Sequence, residues 1–116
     1  KIPGRIGIEH RPSIADDKTD PGHFELDTIF GKDQESFLLT GVDKAHKSVF
    51  IRKLPNKKAE TVVKAFENVV ATTLYLFKTL TSDNGTEFTN HAIISEITGA
   101  VFYFVNSYEI FICYWI

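Results

Sequence analysis

Apolar residues recur along this chain with two different periods. Between Phe24 and Phe30, "FELDTIF" sets Phe24, Leu26 and Phe30 on one side and Glu25, Asp27 and Ile29 on the other, the alternation of a strand. "SFLLTGVD" (Ser36 to Asp43) and "SVFIRKL" (Ser48 to Leu54) are also strand-like, rich in Val, Ile and Phe and separated by the polar link Lys44 to Lys47. Three strands joined by short links predict an antiparallel meander. Pro55 closes the third, and the period then lengthens. Val63, Phe66, Val70, Leu74 and Phe77 follow at spacings of three and four, which predicts a helix from about Lys57 to Leu76 with Asn56 as its N-cap.

Beyond the helix, "KTLTS" reads as a short strand that reaches Asp83. The next residues, Asn84 and Gly85, form the strongest short hairpin signal. A hairpin requires alternation after the turn, yet Phe88, Ala92, Ile94 and Ile97 recur at helical spacing. The turn therefore leads from a strand into a second helix, with Thr86 as a possible cap and Gly99 as its end. "AVFYFV" (Ala100 to Val105) is a fifth strand. The order is β-β-β-α-β-α-β: an α/β fold with a mixed sheet of five strands and flanking helices, the meander followed by crossover units that add parallel strands. Residues 1–23 have no sustained period and read as an irregular arm, 24–105 as the core, and 106–116 as an atypical apolar tail.

Composition changes this picture little. A chain of 116 residues, 43% hydrophobic and 24% charged, suits one globular domain. A net charge of −2 leaves nucleic acid open, because a polyanion responds to the distribution of charge. The one cysteine, Cys113, precludes an internal disulfide and fits a reducing compartment. The apolar stretch Ala100 to Ile116 is broken by Asn106, Ser107 and Glu109 and falls short of the ~20 residues of a membrane helix, so no membrane association is expected. The lack of Met and the opening "KIPGRIGIEHRPS" suggest an excerpt from a longer product.

Candidate chemistry centres on two aspartates. Asp27 lies within the first predicted strand and Asp83 ends the fourth. If those strands are neighbours, both carboxylates reach one edge of the sheet, and a carboxylate pair can hold hard divalent cations such as Mg²⁺. The structural alternative pairs Asp27 with a lysine and uses Asp83 to cap the second helix. Glu25 shares the face of Asp27, and Asp43 is read as a cap on the turn at Lys44. Between Lys44 and Lys58 stand six Lys or Arg and no acid, with Lys44, Lys47, Lys57 and Lys58 the candidate phosphate contacts. A solvated turn and helix start would explain them equally. His10, His23, His46 and His91 have no metal-ligand spacing. A phospho-aspartate enzyme using Asp27 as nucleophile is disfavoured, since no Gly-rich phosphate loop follows a strand.

Four motifs, "GRIGIEHRP" (Gly4 to Pro12), "GHFELDTIFGK" (Gly22 to Lys32), "LPNKKAETV" (Leu54 to Val62) and "SDNGTEF" (Ser82 to Phe88), occur in the order and at the spacing of a known family. By these motifs the chain resembles the catalytic core of bacterial insertion-sequence transposases of the DDE class, closest to the IS-thirty type. The resemblance implies an RNase H-like fold, Asp27 and Asp83 as the first two acids of the triad, and weakly bound Mg²⁺ or Mn²⁺. It also implies DNA, as transposon ends and target, for partner, and the bacterial cytoplasm for location. In relatives the third acid is a glutamate on a helix; counted from Asp83 it falls one position past Ile116, and "YEIFICYWI" replaces the polar segment that precedes it there. The expected function is a transposase core for metal-dependent DNA cleavage and strand transfer, crippled by loss of that glutamate. The alternative is a remnant that binds DNA or dimerises without chemistry. Alternation in the tail sets Ile110, Ile112, Tyr114 and Ile116 opposite Phe111, Cys113 and Trp115. Neither face suits water, which predicts a homodimer.

Overall fold

The computed structural model describes residues 6–7, 20–32 and 36–105. In chain order the elements are β1 (Ile6–Gly7), β2 (His23–Phe30), β3 (Phe37–Asp43), β4 (Ser48–Leu54), α1 (Ala59–Thr72), β5 (Thr79–Asp83), a 3₁₀ turn (Thr86–Phe88), α2 (His91–Thr98) and β6 (Val101–Val105). They form one mixed sheet in the spatial order β1-β6-β5-β2-β3-β4. The meander β2-β3-β4 is antiparallel, while β5 joins β2, β6 joins β5 and β1 joins β6 in parallel. All five predicted strands are present in the predicted order. The sixth comes from the arm, where Ile6 and Gly7 pair with Tyr103 and Phe104. Two residues are too few to show a period, so nothing in the pattern distinguishes them.

Helix α1 is shorter than its periodicity predicts. It stops at Thr72, and Thr73 is extended at φ −124° and ψ 161°. The hydroxyls of Thr72 and Thr73 donate back to the carbonyls of Asn68 (2.7 Å) and Val69 (2.8 Å), an arrangement that weakens a helix end. Leu74 to Phe77 then alternates. Leu74 is fully exposed and Leu76 largely so, while the rings of Tyr75 and Phe77 lie 5.7 and 4.7 Å from that of Phe24. A spacing of three between Leu74 and Phe77 fits a helix, but these residues obey the period of two. The N-cap of α1 is Lys58 rather than Asn56, and it makes no side-chain capping bond; Asn56 instead braces the turn into the helix, its side-chain oxygen accepting from the Lys58 amide (2.9 Å) and the Thr61 hydroxyl (2.7 Å). Gly99 ends α2 in the left-handed region at φ 75°, its amide donating to the Ser95 carbonyl, a position that favours glycine.

The core lies on one face of the sheet. Phe24 and Leu26 of β2, Leu39, Phe50, Leu80 and Phe102 pack there against Val62, Phe66 and Val69 of α1 and Ile94 of α2. The Phe50 and Phe66 rings meet edge to face at 5.8 Å. Since side chains alternate along each strand, Glu25, Asp27, Thr81 and Asp83 all belong to the opposite face. That face is uneven: Thr79, Thr81, Tyr103 and Val105 are buried, whereas Ile29, Leu38, Val49 and Ile51 are exposed. The tail expectations, together with Glu109, Cys113 and the position of a third acid, lie outside the described residues.

Candidate active site

Strands β2 and β5 are neighbours. Their register pairs His23 with Thr79, Phe24 with Leu80 and Glu25 with Thr81, a constant offset of 56 residues that is also the separation of Asp27 and Asp83. The two aspartates therefore follow the last paired residues at the same level, on the same face, on strands whose spacing is ~4.8 Å. Both are exposed. Each carboxylate has a local donor: Asp27 Oδ1 accepts from the Thr28 amide at 2.9 Å, and Asp83 Oδ1 from the Gly85 amide at 3.0 Å. No lysine among the described residues pairs with Asp27. Asp83 ties down the turn that follows it rather than capping α2, whose N-cap is Asn90.

The turn after Asp83 is shaped by Glu87, which the sequence suggests only as an acid near the positive end of the second helix's dipole. Glu87 is buried at 4% exposure, and a β-carbon at Gly85 would overlap its Oε1 and stand 3.0 Å from Asp83 Oδ1. Gly85 itself has φ −62° and ψ 149°, angles open to any residue. The glycine is needed for space, because the Glu87 carboxylate fills the volume its side chain would take. Glu87 Oε2 is paired with Lys57 Nζ at 3.4 Å. That ammonium also lies 4.4 Å from the centre of the Phe30 ring, a cation–π contact. Lys57 thus bridges the end of β2, three residues past Asp27, to the turn that follows Asp83. The Asp83–Glu87 spacing across an Asn-Gly turn was the available signal, but an acid near the start of a helix is ordinarily explained by the helix dipole.

The remaining acids have structural duties. Asp43 is buried, its Oδ1 accepting from the Ala45 amide (3.1 Å) and its Oδ2 from the Gly22 amide (2.8 Å). It caps the β3-β4 turn and fastens the start of β2. Glu25 pairs with Lys44 at 3.3 Å, both groups half exposed. The basic cluster is divided. Lys44 and Lys47 occupy the β3-β4 turn beside the Phe24 end of β2, whereas Lys57 and Lys58 follow β4 at the Phe30 end. Lys57 faces Glu87, and Lys58 borders an open groove beside α1 together with Lys53, another member of the cluster, and Lys64, which lies outside it in sequence.

At the far end of β2, Asp20 accepts from His23 Nε2 and, at 3.1 Å, from Lys78 Nζ. The His23 and then the Lys78 hydrogen bond hold its carboxyl below the ordinary carboxylate range. The donor set at Asp27 and Asp83 is two exposed carboxylates, hard oxygen ligands that fit Mg²⁺ or Mn²⁺. Among the described residues no group of three His, Cys, Asp or Glu could hold a metal ion.

An α/β sheet presenting two level aspartates from adjacent parallel strands describes a class of site. Known proteins similar in sequence narrow it. The chain is 40% identical over 108 residues to the transposase for insertion sequence element IS4351 of Bacteroides fragilis, covering 93% of this chain and 33% of that protein. It is 31% identical over 110 residues to the transposase for IS1086 of Cupriavidus metallidurans, covering 94% of the chain and 32% of the relative. A probable transposase for the insertion-like element IS1161 of Streptococcus salivarius is 34% identical over 104 residues, covering 88% and 29%. The chain thus spans about a third of the length of these relatives. No family model matches it. No helix among the described residues is long and apolar enough to cross a membrane.

Proposed function

We propose that this chain is catalytic-core sequence of a DNA transposase of the DDE class, with an RNase H-like fold, and that Asp27 and Asp83 are its first two acids. The observation that carries the reading is the shared register of β2 and β5, which sets these aspartates level on one face, in a chain whose relatives are named insertion-sequence transposases. A divalent ion held there would activate an attacking oxygen and stabilise the leaving one in phosphodiester cleavage and strand transfer. The protein's own part is to keep two carboxylates at fixed spacing. Asp83 is held by the Gly85 amide, and the turn after it by the Glu87–Lys57 pair. DNA is the partner proposed, and the bacterial cytoplasm the place of action.

A second reading, a remnant that binds DNA or dimerises without chemistry, draws on the convergence of only two carboxylates among the described residues. Incubation of the chain with a labelled transposon-end duplex, with and without Mg²⁺ or Mn²⁺, separates the two. The catalytic-core reading expects nicking that requires the metal ion, whereas binding without nicking supports the remnant. Robust metal-dependent nicking that Asp27→Asn abolishes would establish an intact enzyme, and nicking that survives both Asp27→Asn and Asp83→Asn would remove these residues from the site.

A further inference from the structure

We infer that the groove between the C-terminal half of β4 and α1 is a seat for the phosphodiester backbone of duplex DNA. This rests on the DNA reading above and adds a specific surface to it. The groove has a volume of about 510 Å³ and is lined by Arg52, Lys53, Lys58 and Lys64, with Glu60 its single acid. The lysines elsewhere in the fold are largely neutralised: Lys44 by Glu25, Lys57 by Glu87 and Lys78 by Asp20. Lys53, Lys58 and Lys64 are exposed, and among the described residues none has an acidic partner. Three uncompensated lysines therefore line one concavity, while Lys32 and Lys47, also exposed and without an acidic partner among the described residues, stand apart from it.

Arg52 gives that concavity a fixed wall. Its Nε donates to Asn68 Oδ1 (2.7 Å), its Nη2 to Thr72 Oγ1 (3.0 Å) and its Nη1 to the Ile51 carbonyl (2.9 Å). Every acceptor is neutral, so the guanidinium is held in place with its charge intact. The groove also lies at the right end of the sheet. Lys53 is level with Leu38, and Leu38 with Ile29, two residues past Asp27. Two strand spacings, roughly 10 Å, separate the lysine's strand from that of the aspartate. The groove borders α1 on one side of the sheet and the carboxylates lie on the other, with Lys53 on the carboxylate side by alternation, so a DNA strand seated there would reach them around the edge strand β4. Duplex DNA carries one charge per ~1.7 Å of axis, and each phosphate neutralised adds about −0.9 to the salt slope of binding. The lysines thus have a measurable signature that a merely solvated surface lacks.

The test is fluorescence anisotropy of a labelled duplex across a salt series, with the full chain, with K53A/K58A/K64A and with K44A/K47A. All five positions are exposed or in a turn, and circular dichroism checks that the variants fold. The groove predicts that K53A/K58A/K64A lowers the salt slope by about 2 to 3 and K44A/K47A by less than 1. An unchanged slope in K53A/K58A/K64A while the full chain binds would overturn the groove and leave the DNA reading standing. Failure of the full chain to bind duplex at low salt would overturn both.

Discussion

Gly85 is held to glycine by its neighbours rather than by its backbone angles. Replacing it with alanine must move the Glu87 carboxylate, and overpacking of this kind costs ~1–3 kcal/mol. Gly85→Ala should lower the urea midpoint accordingly, whereas Gly85→Ala in a Glu87→Ala background, where the obstructing carboxylate is gone, should cost clearly less than the sum of the two changes. Strict additivity would show that the two residues do not compete for space. Removing the ammonium alone, by Lys57→Met, leaves a buried carboxylate without its partner and should cost about 1–3 kcal/mol, read from the same denaturation curves. At Asp20 the effect depends on pH. Its carboxyl is held low by His23 and Lys78, so its contribution is present above the ordinary carboxylate range and is lost as pH falls through the lowered value. The stability difference between the natural protein and Asp20→Asn should accordingly shrink below about pH 4; a difference that is constant or grows toward acid would contradict the assignment.

At the scale of elements, β4 is an edge strand that carries two exposed apolar residues, Val49 and Ile51. Such an edge invites pairing with another chain. Here the carbonyls of Val49 and Ile51 are occupied by the Tyr75 hydroxyl (3.2 Å) and Arg52 Nη1 (2.9 Å), so the chain's own side chains blunt the edge. Arg52→Ala should raise the aggregation rate in a light-scattering time course, and an unchanged rate would mean that the edge is protected by something else. Helix α1 supplies a second contrast. Phe66→Ala should cost ~3–5 kcal/mol, since the ring is fully buried, while Leu74→Ala should fall within about 0.5 kcal/mol because Leu74 stands in solvent. Leu74 also marks where periodicity misled: "LYLF" satisfies a helical spacing and a strand alternation together, and only the packing of Tyr75 and Phe77 on Phe24 decides between them. The strands themselves were legible because each has a clear alternating run of its own. The partnership of Asp27 and Asp83 was legible only as a consequence of strand order. The roles of Glu87 and Lys64 were not, because their significance comes from neighbours distant in sequence.

At the scale of the whole molecule, the uneven open face of the sheet bears on assembly. The half formed by β2, β3 and β4 exposes Ile29, Leu38, Val49 and Ile51. The homodimer expected from the tail alternation is proposed on sequence grounds, and light scattering at micromolar concentration on the full chain and on a truncation at Ser107 tests it. A dimer that becomes a monomer on truncation supports it, and a monomeric full chain contradicts it. The central claim, that Asp27 and Asp83 together make a cation site, is tested most directly by titrating Mn²⁺ into the protein and following the paramagnetic relaxation of water protons. Two carboxylates, with water completing the coordination, predict a Kd on the order of 1 mM, with binding lost in both Asp27→Asn and Asp83→Asn. Binding that either variant leaves intact, or a micromolar Kd requiring further ligands, would contradict the account.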